Sequence, residues 1–230
     1  QGALKAAVTV GGADPVAVGD RVDPETWNTR LGNLLPQPLG MPRTAAARPG
    51  AGGGAMAGGG VLVTGASSGI GLAVAGELAV RGFHVFGTVR RAEDAAALER
   101  AGITPLRMDV TDVASIARAA GEGVRMLAGR PLVGLVNNAG IPAGGPLELL
   151  PLAELRQVLE VNVVGAVAVT QAFLPLVKAA RGRIVNVSSI SGRMALPFMG
   201  PYAASKSALE AISTSLRREL LPCGVTVTIV

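Results

Sequence analysis

The stretch GVLVTGASSGIG, residues 60–71, decides the fold of this chain. Its apolar start predicts a buried strand, and the run IGLAVAGELAVRG (70–82) predicts the helix that follows. Between them, Gly65, Gly69 and Gly71 permit a tight turn and close approach of a ligand to the backbone. A helix that begins here aims its free N–H groups and positive dipole end at a pyrophosphate. A glycine-rich turn can also merely connect two elements, but its place at the first strand-to-helix crossover favours a dinucleotide site.

The chain after this loop alternates between short apolar runs and longer amphipathic ones. The further predicted strands are 84–89, 105–110, 132–138, 183–189 and 225–230, and the further predicted helices are 92–101, 115–127, 152–178 and 202–221. Such alternation is typical of a parallel sheet with helices on both faces. We therefore predict an α/β fold, a Rossmann-like doubly wound parallel sheet that stops after its sixth strand.

The first part of the chain has a different composition. Six prolines and the stretch PGAGGGAMAGGG oppose both helix and sheet, so we expect residues 1–58 to be a mostly disordered extension rich in Gly, Pro and Ala. Residues 59–230 form the predicted dinucleotide-binding domain. Met56 lies just before the first strand, which suggests it as the natural start. A short genuine domain within the extension is the alternative.

Composition narrows the function classes. The net charge of +5 comes from scattered arginines, and aromatic residues make up only 3% of the chain, so a nucleic-acid surface is not expected. Cys223 is the only cysteine and His84 the only histidine, which argues against a disulfide and a metal site. No apolar run reaches about 18 residues. We expect a cytoplasmic protein without a membrane span or a metal.

The end of the second predicted strand bears on cofactor choice. An acidic residue that binds a free adenosine ribose is expected about 20 residues after the glycines. The sequence there is Thr88-Val89-Arg90-Arg91, with no carboxylate before Glu93. Because a guanidinium binds a 2′-phosphate that a carboxylate repels, we predict NADP(H) over NAD(H), with Arg90 as the main contact.

Tyr202 is the only tyrosine of the chain, and it precedes Lys206 by four residues in a predicted helix. A spacing of four places both side chains on one helix face, one turn apart. A tyrosine free in water has a pKa of about 10 and is a poor base at neutral pH. A neighbouring cation favours the phenolate. The spacing alone does not distinguish a shared catalytic site from a coincidence.

Five motifs occur in order: TGASSGIG (64–71), NNAG (137–140), NVVG (162–165), VNVSS (185–189) and YAASK (202–206). With them the chain resembles the short-chain dehydrogenase/reductases, in particular members that act on retinol and hydroxysteroids. The resemblance covers about residues 60–230. It implies an oxidoreductase that transfers a hydride between a nicotinamide dinucleotide, here NADP(H) as Arg90 predicts, and an alcohol or ketone.

The resemblance also implies the roles of individual residues. Tyr202 matches the general acid or base, Lys206 the lysine that binds the nicotinamide ribose and favours the phenolate, Ser189 the serine that holds the substrate oxygen, and Asn162 the asparagine of a proton-relay water. The implied cofactor-binding residues are Gly65, Ser67, Gly69, Ile70, Gly71, Arg90, Asp109, Val110, Asn138, Ala139, Gly140, Tyr202 and Lys206.

The substrate follows from the same resemblance only as a class. Met194, Leu196, Phe198 and Met199 would form an apolar wall, which suits a retinoid, steroid or acyl-like substrate, although they suit packing or a subunit contact equally well. Relatives continue beyond a sixth strand, so we expect a fragment of a longer chain that forms a homodimer or homotetramer. The alternative is a weak or inactive dinucleotide-binding module that acts through association.

Overall fold

The computed structural model describes residues 58–230, so the predicted N-terminal extension lies outside the described residues except for its last one. The strands are β1 (Gly60–Val63), β2 (His84–Val89), β3 (Thr104–Arg107), β4 (Leu132–Asn137), β5 (Arg183–Asn186) and β6 (Thr226–Ile229). The helices are α1 (Gly69–Val80), α2 (Ala95–Arg100), α3 (Val113–Leu127), α4 (Leu152–Leu159), α5 (Ala166–Ala179) and α6 (Gly200–Leu220). Short 3₁₀ turns lie at Ala92–Asp94, Ile190–Gly192 and Leu221–Cys223.

All six strands pair in parallel in the order β3-β2-β1-β4-β5-β6. This confirms the predicted doubly wound sheet. The order reverses direction between β1 and β4, and the crevice at such a switch point is where ligands bind. Val63 of β1 pairs with Val136 of β4, which brings the glycine loop and the NNAG stretch side by side.

Two apolar cores cover the two faces of the sheet. In β1, Leu62 packs into one core while Val61 and Val63 pack into the other, as the alternation of side chains along a strand requires. The first core also contains Phe86 and Phe173, each 2% exposed. Burial on both faces explains why the strand sequences are almost continuously apolar.

The helix predicted over 152–178 is not one regular α-helix. A π-helical turn at Glu160–Gly165 joins α4 to α5. The turn places Asn162 inside the protein, where it is 1% exposed. It also packs Gly165 against Val110 in the segment after β3, since a Cβ added to Gly165 would lie 2.9 Å from the Val110 carbonyl oxygen. Such one-turn insertions are rare and frequent at functional sites, and the helical periodicity of the sequence does not reveal this one.

The stretch Leu152–Ala179 is also long and apolar enough by composition to cross a membrane. Here its residues Val169 and Phe173 pack into the core against the sheet. A core helix of a soluble protein passes the same composition test. The absence of a membrane span therefore stays a prediction.

A buried polar chain links the helices to the sheet inside the core. The Asn137 side-chain amide donates to Thr170 Oγ1 at 2.9 Å and to Asn186 Oδ1 at 2.8 Å. The Asn186 amide in turn donates to Ser213 Oγ at 2.7 Å. Because a buried amide that loses its hydrogen-bond partner lowers stability, this network of side-chain hydrogen bonds holds β4 and β5 against α5 and α6.

Candidate active site

The glycine loop is built as tightly as its sequence predicts. Gly65 and Gly69 adopt positive φ angles of 64° and 58°. Gly71 packs directly on the carbonyl oxygen of Gly65, and an added Cβ would also lie 2.5 Å from Asn138 Nδ2. Ser68, which caps α1, makes no side-chain hydrogen bond to the helix, so the first N–H groups of α1 remain available to an anion. This cradle fits the pyrophosphate of a dinucleotide.

A cleft of about 830 Å³ runs along the carboxyl edge of the sheet past this loop. The predicted cofactor residues that line it are Gly65, Ser67, Ile70, Gly71, Arg90, Asp109, Val110, Asn138, Ala139 and Gly140. Gly69, Tyr202 and Lys206 are outside its lining. The lining also includes residues that were not predicted to bind the cofactor: Ser68, Thr88, Arg91, Asp94, Met108, Thr111, Ile141, Gln157, Glu160 and Val161. Their only sequence signal is position, since most follow a predicted strand or occupy the irregular turn.

The two arginines after β2 have different surroundings. Arg91 forms ion pairs with Glu93 at 3.2 Å and Asp94 at 3.3 Å, and Asp94 also lines the cleft. In the described part of the chain, Arg90 has no carboxylate within 4.0 Å. Arg90 is therefore the guanidinium that is free to bind a ligand.

Asp109, at the far wall of the cleft, is held in its charged form. Its Oδ1 accepts hydrogen bonds from the Thr111 N–H at 2.9 Å and the Thr111 hydroxyl at 2.8 Å. The backbone hydrogen bond from Thr111 is the largest effect, and it lowers the pKa of the Asp109 carboxyl below its ordinary value of 3.8. Burial opposes it, and the weaker effects of the Thr111 hydroxyl and of the Arg90 charge lower the pKa further.

This shift predicts a pH-dependent contribution to stability. A lowered carboxyl pKa stabilises the fold above the unfolded value of 3.8, and the contribution is lost as pH falls through the folded value. We expect Asp109→Asn to lower the free energy of unfolding at neutral pH by about 1 kcal/mol, because the partly exposed group is screened by solvent. Urea unfolding of both proteins from neutral pH to pH 3 should show the difference shrinking below about pH 4. A difference that stays constant with pH would contradict the assignment.

Asn162 lies at the inner end of the cleft and all of its side chain is engaged. Its Oδ1 accepts from the Ile141 N–H at 2.8 Å, and its amide donates to the Ile141 carbonyl at 3.0 Å and to Ser205 Oγ at 3.0 Å. Gly140 lies against it, since a Cβ there would be 3.2 Å from Asn162 Oδ1 and 3.7 Å from Lys206 Nζ. Asn162 and Lys206 therefore meet where the cleft ends.

Lys206 is an unusual lysine because it is buried, with 4% of its surface exposed. Its Nζ donates to the Val187 carbonyl at 2.8 Å and lies 5.7 Å from the centre of the Tyr202 ring. Burial lowers the pKa of the Lys206 ammonium below its ordinary value of 10.5. The predicted pair of Tyr202 and Lys206 is thus on one helix face, with the cation removed from water.

Ser189 follows β5, two residues beyond the carbonyl that binds Lys206. β5 ends at Asn186, earlier than predicted, and Ser189 Oγ caps the next short turn by accepting from the Ser191 N–H at 3.2 Å. The preceding Ser188 points elsewhere and donates to Glu210 Oε1 at 3.0 Å. Ser189 and Tyr202 are both half-buried.

Within residues 58–230, no group of three or more His, Cys, Asp or Glu side chains is placed to hold a metal ion.

The glycine cradle at a sheet switch point defines a dinucleotide-binding α/β protein, and comparison with known proteins makes this class more specific. The family model described as short chain dehydrogenase matches residues 60–230. The chain belongs to the short-chain dehydrogenase family, whose members are oxidoreductases that bind nicotinamide dinucleotides.

Individual relatives agree with this membership. The chain is 41% identical over 177 residues to an NADPH-dependent 3-dehydrocapnine reductase of Ornithobacterium rhinotracheale, covering 74% of this chain and 62% of that protein. It is 42% identical over 174 residues to human retinol dehydrogenase 16, covering 74% of this chain and 55% of the relative. The chain thus spans about three fifths of the length of these relatives.

A solved structure shows the same fold. A short chain dehydrogenase/reductase from Burkholderia phymatum in complex with NAD is 27% identical, with a TM-score of 0.71, covering 76% of this chain and 65% of the other.

Proposed function

We propose that this protein is an NADPH-dependent oxidoreductase that interconverts an apolar ketone or aldehyde and the corresponding alcohol. The observation that carries the proposal is the buried Lys206 ammonium beside Tyr202, at the point where Gly140 closes the cleft. A buried cation without a carboxylate partner is costly, and such groups are typical of functional sites.

Two side chains at the inner end of the cleft, Tyr202 and Lys206, have different roles in the proton transfer. NADPH, when bound, supplies the hydride that reduces the carbonyl carbon. The Tyr202 hydroxyl donates a proton to the carbonyl oxygen, and the Lys206 cation stabilises the phenolate that remains.

Ser189 orients the substrate in this scheme. Its oxygen accepts from the Ser191 N–H, which leaves the hydroxyl hydrogen free to donate to the substrate oxygen. Held by Ser189 and Tyr202 together, the carbonyl oxygen is fixed before the reaction, which removes part of the entropic cost.

The preference for NADPH rests on Arg90. Its guanidinium lines the cleft without a carboxylate partner among the described residues, whereas Arg91 is already paired. The name of the reductase from O. rhinotracheale supports the same cofactor, although the B. phymatum structure holds NAD.

We expect Arg90→Ala to raise the Kd for NADPH by about ten- to a hundredfold and to leave the Kd for NADH unchanged, since a charge-assisted pair with the 2′-phosphate contributes about 1.5–3 kcal/mol. Arg91→Ala is the matched control and should change the NADPH Kd much less. Fluorescence titration of the wild type and both variants with each cofactor measures the six dissociation constants. Tighter binding of NADH than NADPH by the wild type would refute the cofactor assignment.

The apolar nature of the substrate rests on two loops at the site. After β5, Ile190 and Phe198 are 72% and 64% exposed, and Leu147 and Leu149 after β4 are 70% and 74% exposed. The Gly145 N–H donates to the Phe198 carbonyl at 2.7 Å, which joins the two loops. Exposed apolar side chains on two loops that are joined in this way suit an apolar substrate.

The direct test follows NADPH absorbance with the full-length protein and a panel of retinoid, steroid, acyl and small polar carbonyls. We expect turnover of the apolar members and little of the polar ones. Folded protein that binds NADPH but turns over no carbonyl would instead favour a dinucleotide-binding module that acts through association.

A further inference from the structure

We propose that Ser205 is a positioning residue for the reaction: it locks Asn162 of the π-helical turn to the turn of α6 that carries Tyr202 and Lys206. The inference rests on the function proposed above, and it concerns a residue to which the five motifs assign no role.

Ser205 is completely buried between the two groups that it joins. Its hydroxyl donates to the Tyr202 carbonyl at 2.7 Å and accepts from the Asn162 amide at 3.0 Å. One oxygen thus contacts the backbone of the proposed proton donor and the side chain of the residue at the end of the cleft.

The other bonds of Asn162 give this contact its effect. Both go to the backbone of Ile141, in the loop after β4 that forms one wall of the cleft. Ser205 therefore completes a continuous connection from the cofactor-binding loop, through Asn162, to α6. Without its hydroxyl, one amide hydrogen of a side chain that is 1% exposed loses its partner.

This series of hydrogen bonds sets the distance between α6 and the cleft wall at Gly140, and the reaction depends on that distance. Gly140 on the cleft wall packs against both Asn162 Oδ1 and Lys206 Nζ. Any shift of α6 away from this wall separates Tyr202 and Lys206 from a cofactor bound in the cleft. Misplacement of about 1 Å can lower a catalysed rate by about a hundredfold.

The test compares Ser205→Ala with Ser213→Ala. Ser213 is also fully buried on α6, donates to a helix carbonyl at 2.6 Å and accepts an asparagine amide at 2.7 Å, but its partner Asn186 belongs to the core chain. The two substitutions delete the same chemistry at two places on one helix. We expect similar losses of melting temperature, whereas kcat falls at least tenfold only in Ser205→Ala, with KM for NADPH little changed.

A double-mutant cycle with Asn162→Ala makes the coupling explicit. If Ser205 acts through Asn162, adding Ser205→Ala to Asn162→Ala lowers kcat by less than about twofold. Ser205→Cys, which retains a weak donor and acceptor, should recover part of kcat and serves if Ser205→Ala folds poorly.

The outcomes separate the two proposals. Turnover by the wild type with equal kcat in Ser205→Ala and Ser213→Ala overturns the role of Ser205 alone, as do multiplicative effects in the cycle. A wild type that binds NADPH and turns over no carbonyl overturns the proposed function, and the inference falls with it.

Discussion

Replacement of Tyr202 by phenylalanine is expected to lower kcat about a thousandfold, which is within the range that a positioned general acid or base contributes. The half-buried ring can remain in place, and Lys206 keeps its bond to the Val187 carbonyl, so only the hydroxyl is lost. The Kd for NADPH and the melting temperature should stay close to the wild-type values. Steady-state kinetics, cofactor titration and thermal unfolding of the two proteins measure all three quantities.

The tyrosine content of the chain makes this test simple to interpret. Tyr202 is its only tyrosine, so no second phenol can take over the proton transfer. A Tyr202→Phe protein with near-normal kcat would remove Tyr202 from the reaction. Loss of NADPH binding in the same variant would show that the hydroxyl serves the cofactor instead.

Gly71→Ala is expected to have a comparably large effect on cofactor binding. The new methyl group would overlap the Gly65 carbonyl oxygen and the Asn138 amide, both of which belong to loops that line the cleft. Relief of the overlap should lower the free energy of unfolding by about 1–3 kcal/mol. Because the displaced loop no longer presents its N–H groups to the pyrophosphate, we expect the NADPH Kd to rise about a hundredfold.

Gly76→Ala is the matched control on the same helix. Gly76 lies within α1, and an added Cβ would meet no atom within 4 Å outside the helix backbone. Alanine should therefore stabilise the helix by roughly 0.5–1 kcal/mol and leave the NADPH Kd unchanged. Urea unfolding and fluorescence titration of both variants test the prediction. Equal effects at the two glycines would contradict the proposed role of the loop.

The sheet could be predicted from the sequence because its determinants are local. The central strands β1, β2 and β4 are apolar runs buried on both faces, and most of the helices between strands are amphipathic, so the order of elements follows directly. The glycine loop was also predictable, since positive φ angles at Gly65 and Gly69 and the close approach at Gly71 have few other solutions.

The parts that could not be predicted depend on contacts between distant residues. The π-helical turn at Glu160–Gly165 exists because Asn162 bonds to Ile141 and Gly165 packs on Val110, and neither partner is visible in the local pattern. The difference between Arg90 and Arg91 likewise depends on which of them Asp94 reaches. Ser205 reads as an ordinary helix residue until its bond to Asn162 is seen.

The proposed reaction is hydride transfer between NADPH and a carbonyl, at the end of the cleft where Gly140, Tyr202 and Lys206 lie. The most direct measurement uses NADPH that carries deuterium at both hydrogen positions of nicotinamide C4, an apolar ketone that the panel identifies, and mass spectrometry of the alcohol formed. We expect one deuterium on the new carbinol carbon with the wild type and almost no alcohol with Tyr202→Phe. Alcohol without deuterium, or equal deuterated product from both proteins, would contradict it.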